Sequence, residues 1–239
     1  LDPKAVTRYN VIAGAIGIVA ALLVTATSAV MTRKHPQASG IALAHTVPFL
    51  TAASALRLSQ SHWDTAGWGW TGLGLLIGSL AVLALPKRSR ISIAAPLVVG
   101  TVLAATGLLV RLGQLSQAGI SAILFALVIV LLQVAPWIAL AHIPVRILDA
   151  DTTEQIPAKG ITDQVSTSFV FVVALRAGGA IAALFLAVAL MTAPETRSIS
   201  LPLTLIVLGA VSLVLQTRSI RARVEVLLGA LTGLIVILV

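Results

Sequence analysis

The chain has 239 residues, 58% of them hydrophobic and 10% charged, with a mean hydropathy of +1.05. A soluble globule of that size needs more polar surface, so the bilayer is the expected solvent. A net charge of +8 would suit nucleic acid in a soluble domain, but basic residues on short loops between apolar runs are topology signals and argue against that partner; zero cysteines exclude disulfides, thiolate metal sites and cysteine nucleophiles.

In chain order, the first apolar run predicts a helix from about Val11 to Met31, behind an interfacial Arg8-Tyr9-Asn10 and stopped by Arg33-Lys34-His35-Pro36-Gln37. A second covers about Gly40 to Leu56, a third about Ala66 to Leu85, a fourth about Ile91 to Val110 and a fifth about Ala118 to Ala141. A sixth is expected at about Ala174 to Ala193, a seventh at about Ile199 to Leu215, and an eighth from about Val224, left unfinished at Val239. Each approaches the roughly 20 residues that a bilayer requires at 1.5 Å per residue. The runs are continuous rather than alternating, which argues against a membrane barrel. The expected fold is therefore all-α, a polytopic transmembrane helical bundle of about eight spans, the last cut short. A start at Leu1 and a stop inside LLGALTGLIVILV lead us to expect an internal window of a longer protein.

Between the fifth and sixth runs lies the only long polar interval, Ile143 to Ser168, which holds Asp149, Asp151, Glu154 and Asp163, half of the eight acidic residues. Charges and open backbone have no partners in hydrocarbon, so this interval should protrude. The chain thus divides into helices over 1–142, a loop with an interfacial segment at Phe169–Val173 over 143–173, and further helices over 174–239. Counting basic residues by face sets Lys4, Arg8, Arg57, Arg111 and Arg197 against a richer face with Arg33, Lys34, Lys87, Arg88, Arg90, Arg146, Lys159, Arg218, Arg221 and Arg223. Arg176 joins the richer face if it snorkels outward. The richer face should be cytoplasmic, placing Leu1 outside the cytoplasm and the long loop inside.

Chemistry is sparse. All eight acidic residues fall in loops or at helix ends, and His45, three residues before Pro48, is the only ionisable group well inside a span. A carrier would use it as a proton or substrate site; otherwise it is a neutral imidazole bonded to a neighbouring helix. There is no HExxH, GxSxG or GxxxxGK[ST], so no catalytic residue, metal ligand or cofactor is assigned and no enzyme is expected. Gly14, Gly17, Gly74, Gly78, Gly178, Gly179 and Gly209 suit close helix packing. Trp63, Trp68 and Trp70 suit an interfacial belt, and Trp137 marks the inner end of the fifth helix. The basic turn from Thr217 to Arg223 either fixes topology or grips anionic lipid or an acidic partner.

Three stretches resemble the membrane domain of EccD, the many-helix subunit of mycobacterial type VII (ESX) secretion systems: ISAILFALVIVLLQVAPWIALAHIPVRIL, STSFVFVVALRAGGAIAALFLAV and the basic turn LVLQTRSIRARVEVLLGALTGL. The resemblance is one of helix order and loop placement, although the long loop is shorter and poorer in proline than in the family. It implies a window beginning at the family's second helix, in the inner membrane. It also implies a scaffold without catalytic function, pairing with a second copy of itself and standing beside EccB-like, EccC-like ATPase and EccE-like subunits and membrane lipids. The residues carried over as contacts are Arg146, Asp149, Asp151 and Glu154 in the loop and Arg218, Arg221 and Arg223 in the turn. A secondary transporter or permease is the alternative.

Overall fold

A computed structural model of the chain describes residues 3–34, 38–59, 65–85, 93–113, 116–141, 158–194 and 199–217. These form seven helices: α1 (Pro3–Lys34), α2 (Ala38–Leu58), α3 (Thr65–Leu83), α4 (Ala94–Arg111), α5 (Gln117–Ala141), α6 (Ala158–Met191) and α7 (Ser200–Thr217). Strands are absent among the described residues. By length and composition four helices can cross a membrane, over Val6–Met31, Ala94–Arg111, Gln117–Ala135 and Phe169–Met191; Gly67–Leu83 and Ser200–Leu215 are shorter apolar helices. The described residues thus carry the expectation of eight spans only as far as seven helices and four spans, and the eighth, from about Val224, lies outside them.

Two helices begin earlier than expected. α1 starts at Pro3, a residue tolerated in a first helical turn because the amide it lacks has no intrahelical acceptor there. α6 starts at Ala158, inside the polar interval, and no proline interrupts it before Met191. Its 34 residues reach about 50 Å, well beyond a hydrocarbon slab of about 30 Å, so its polar first turns stand clear of the apolar stretch. The segment Phe169–Val173, expected to lie on the membrane surface, is continuous with this spanning stretch. Between α4 and α5 the chain turns at Gly113, whose φ of +68° lies in the left-handed region that glycine enters without a Cβ penalty.

α1, α2, α3 and α4 pack in succession, and α4 then lies against α6 more extensively than against α5. α6 is therefore the joint between the first four helices and the α5–α7 group. The largest core lies in that second group, where Phe125, Val128 and Leu132 of α5 meet Ala183 and Leu186 of α6 and Ile206 of α7. A second core joins Ala52, Trp68, Leu75, Leu103 and Ala189, and a third joins Ala44, Val47, Val82, Leu85 and Ile93.

Among the described glycines, Gly72 makes the nearest approach to a neighbouring helix's backbone, between α3 and α4. A Cβ at Gly72 would collide with the Ala104 amide nitrogen and stand 2.7 Å from the Leu103 carbonyl carbon and 2.8 Å from the Gly100 oxygen; one at Gly69 would lie 2.9 Å from the Gly107 Cα. In hydrocarbon the helices gain nothing from mutual apolar burial, so backbone approach through small residues supplies the packing. α2 and α3 are also joined by a hydrogen bond: Thr51 Oγ1 donates to the Gly74 carbonyl at 2.7 Å, with the Pro48 and Val47 carbonyls at 2.9 and 3.0 Å as alternatives. Thr51→Val, which keeps the shape and removes the donor, is expected to cost about 0.5–1 kcal/mol in a reversible unfolding titration. An unchanged midpoint would show that the bond contributes nothing.

Candidate functional site

The residues predicted to contact partners are not among those described. Arg146, Asp149, Asp151 and Glu154 fall in 142–157, and Arg218, Arg221 and Arg223 fall in 218–239. Trp63 and the side chain of Trp137 also lie outside the described set. The candidate surface is therefore defined by what the seven helices present, and by what they bury.

Their exterior is apolar along its length. Ile12, Ile16, Leu22 and Leu23 of α1, Ile123, Leu127 and Val130 of α5, and Leu201 and Leu208 of α7 are exposed. On a water-soluble protein these would be large sticky patches; on a bilayer-spanning bundle they are the lipid or partner face. At one end, Arg57 Nη1 of α2 donates to Asn10 Oδ1 of α1 at 3.3 Å, which ties an exposed guanidinium to the rim. Near the opposite end of α5, Gln133 Nε2 donates to Ser212 Oγ of α7 across an otherwise apolar contact. The cycle of Gln133→Leu and Ser212→Ala should give a coupling of about 0.6 kcal/mol, measured by unfolding in detergent micelles. Strict additivity would mean that the pair does not hold α7.

The interior is filled by packing rather than chemistry. Among the described residues there is no group of three or more His, Asp, Glu or Cys placed to hold a metal ion. His45 is half-buried on α2 and is not without a partner. The Ser79 and Ser121 hydroxyls are buried without a hydrogen-bond partner, in keeping with a role as small residues at helix contacts. Thr71, Thr101 and Thr106 each donate to the carbonyl four residues earlier, which satisfies the hydroxyl within its own helix.

Every glycine predicted for packing meets another helix of the same chain: Gly14 and Gly17 face Leu58 and Ser54, Gly74 and Gly78 face α2, Gly178 faces Ala95, Gly179 faces Leu132 and Gly209 faces Phe125. Sequence reasoning missed Gly69, Gly72, Gly100 and Gly107, although their clustering in GWGWTG and their spacing along α4 carried the signal.

Two expectations change. Trp68, expected in an interfacial belt, is 7% exposed and stands edge-on to Phe185, with ring centroids 6.0 Å apart. It lies one and two turns from Gly72 and Leu75, on the buried side of a helix clasped by α2 and α4, whereas Trp70 on the other side is exposed. Arg176 keeps its Nε and Nη2 away from solvent instead of extending the whole guanidinium into water.

The class of protein that this arrangement defines is an all-helical membrane bundle whose described interior is a packing core. The fold is similar to that of a chain in a solved MycP5-free ESX-5 inner membrane complex, State II, with a TM-score of 0.72 and 15% identity over 98% of this chain. This chain spans 58% of that one's length. No family model matches the sequence, and no curated protein matches it.

Proposed function

We propose that the chain is an EccD-like scaffold subunit of a type VII protein secretion complex in the inner membrane, without catalytic function. The observation that carries this reading is the similarity of its fold, over nearly its whole length, to a chain of an ESX-5 inner membrane complex. Packed helices and an apolar exterior fit a subunit that seats neighbours and borders lipid. Its partners would be a second copy of itself and EccB-like, EccC-like ATPase and EccE-like subunits, with the driving hydrolysis supplied by the ATPase. The contacts would be made by the polar interval with Arg146, Asp149, Asp151 and Glu154, and by the turn with Arg218, Arg221 and Arg223, on the cytoplasmic face.

The rival reading, a secondary carrier, rests on His45, three residues before the Pro48 that lies inside α2. Reconstituting the purified protein alone into liposomes separates the two. The scaffold reading expects proton and solute flux at the level of empty vesicles, unchanged by His45→Ala. Flux above background that His45→Ala abolishes would overturn it.

A further inference from the structure

α5 and α7 run parallel. Gly209 of α7 lies against Phe125 and Ile129 of α5, and one turn further along both helices Ser212 meets Gln133. Gln133 marks the edge of that contact: Phe125 and Ile129 on one side of it are buried, while Ile123 and Val130 on the other side, seven residues apart, are exposed. Ser212 stands at the same kind of edge on α7, beside the exposed Leu208 and Leu215. Two apolar ridges on parallel helices thus wall a shallow groove, with the bond from Gln133 to Ser212 between them.

Gln133 is exposed although it lies inside the spanning stretch Gln117–Ala135. One N–H serves Ser212, which leaves its carbonyl oxygen and second N–H with no further partner among the described residues. A carboxamide left open to hydrocarbon costs free energy that a neighbouring helix can recover.

The sequence says what can reach it. α7 ends at Thr217, and the chain goes on through the six residues 218–223 into the apolar run 224–239. Six residues span about 20 Å at full extension, and packed helices lie about 8–10 Å apart. The run must therefore return within about two helix widths of α7, antiparallel to both walls of the groove. Ser212 lies five residues before the end of α7, so five residues into the returning run brings Gly229 to the level of Ser212 and Gln133, with Gly233 one turn deeper. Glycines four apart let one helix backbone settle closely on another.

We propose that the groove between α5 and α7 is the docking site of this chain's own run 224–239, packed antiparallel with Gly229 at the level of Gln133 and Ser212. The docking holds the turn with Arg218, Arg221 and Arg223 beside the end of α5 from which the polar interval leaves, so both charged stretches issue from one corner of the bundle. It does not depend on the secretion reading and survives its failure.

The chain has no cysteine, so introduced pairs report without background. Val130→Cys is combined in turn with Ala230→Cys, Leu231→Cys and Thr232→Cys, and the full chain is oxidised in its native membrane. A disulfide requires Cα atoms within about 7 Å. Ala230 and Thr232 flank the glycine face and Leu231 lies opposite it. One of the two flanking pairs should close within a single chain at least about tenfold more than the Leu231→Cys pair, and tenfold more than Ile16→Cys with Thr232→Cys, whose first member is on the exposed face of α1. Mass spectrometry of the joined peptides, at monomer mobility, reads the result. Where Val130→Cys fails to accumulate, Val134→Cys gives the same comparison one turn nearer the basic turn. Disulfides formed only between chains would put a second copy in the groove, and yields no higher than in the Ile16→Cys control would leave it to lipid; either result overturns the proposal.

Discussion

Gly72→Ala is expected to destabilise the bundle by about 3 kcal/mol, at the upper end of what a single added methyl costs in a packed interior. The new Cβ would meet backbone atoms of Gly100, Leu103 and Ala104, none of which can rotate away, so α3 and α4 must separate along their crossing. The separation would propagate, since Leu75 and Leu103 share a core with Trp68 and Ala189. Gly14→Ala is the control. Its Cβ would lie 2.6 Å from Leu58 Cγ, but Leu58 ends α2, is 37% exposed and can change rotamer, so a loss under about 1 kcal/mol is expected. Reversible unfolding of both variants in micelles checks the contrast. Equal losses would mean that the α3–α4 crossing is no tighter than the α1–α2 crossing.

The largest functional effect is expected from reversing Arg218, Arg221 and Arg223 together to Glu. If each arginine contributes about 1 kcal/mol at an acidic partner or anionic headgroup, removing all three weakens the contact by roughly 10²-fold, and the new carboxylates add repulsion. Reversal also shifts the balance of basic residues between faces, so the triple Arg→Lys variant is the necessary companion. It keeps charge and topology while losing the planar bidentate fork. Complex yield after affinity isolation should fall at least tenfold for the Glu variant and recover in part for the Lys variant. A Glu variant that assembles normally would assign the turn to topology alone.

Much of the fold is legible because a bilayer leaves few choices. Once unpaired backbone is forbidden, a continuous apolar run must be helix, and the predicted bounds of the second, third, fifth and seventh helices differ from the observed ones by only a few residues. The start of α6 was not legible, because hydropathy reports where a helix meets lipid and not where it begins; the polar turns after Ala158 are helical without being apolar. Trp68 was misplaced for a related reason. A tryptophan near a span's end suits both an interface and a core, and only its position relative to Gly72 and Leu75 on a clasped helix decides between them. The packing glycines were legible as a type, yet the close approach of α3 to α4 was overlooked because Gly69 and Gly72 lie in a stretch dominated by tryptophans.

The candidate contact residues carry charge in polar intervals between apolar runs, and that made them visible in the sequence. Which molecules they meet is not written in one chain, since lipid headgroups and acidic partners select the same arginines.

The central claim, that this bundle serves as a seat for other subunits, is tested most directly by isolating the tagged protein from its native membrane in mild detergent and identifying what accompanies it by mass spectrometry. The account predicts a large assembly containing a second copy of the chain and an ATPase-bearing subunit. A lone monomer that retains its fold and carries solute by itself would contradict it.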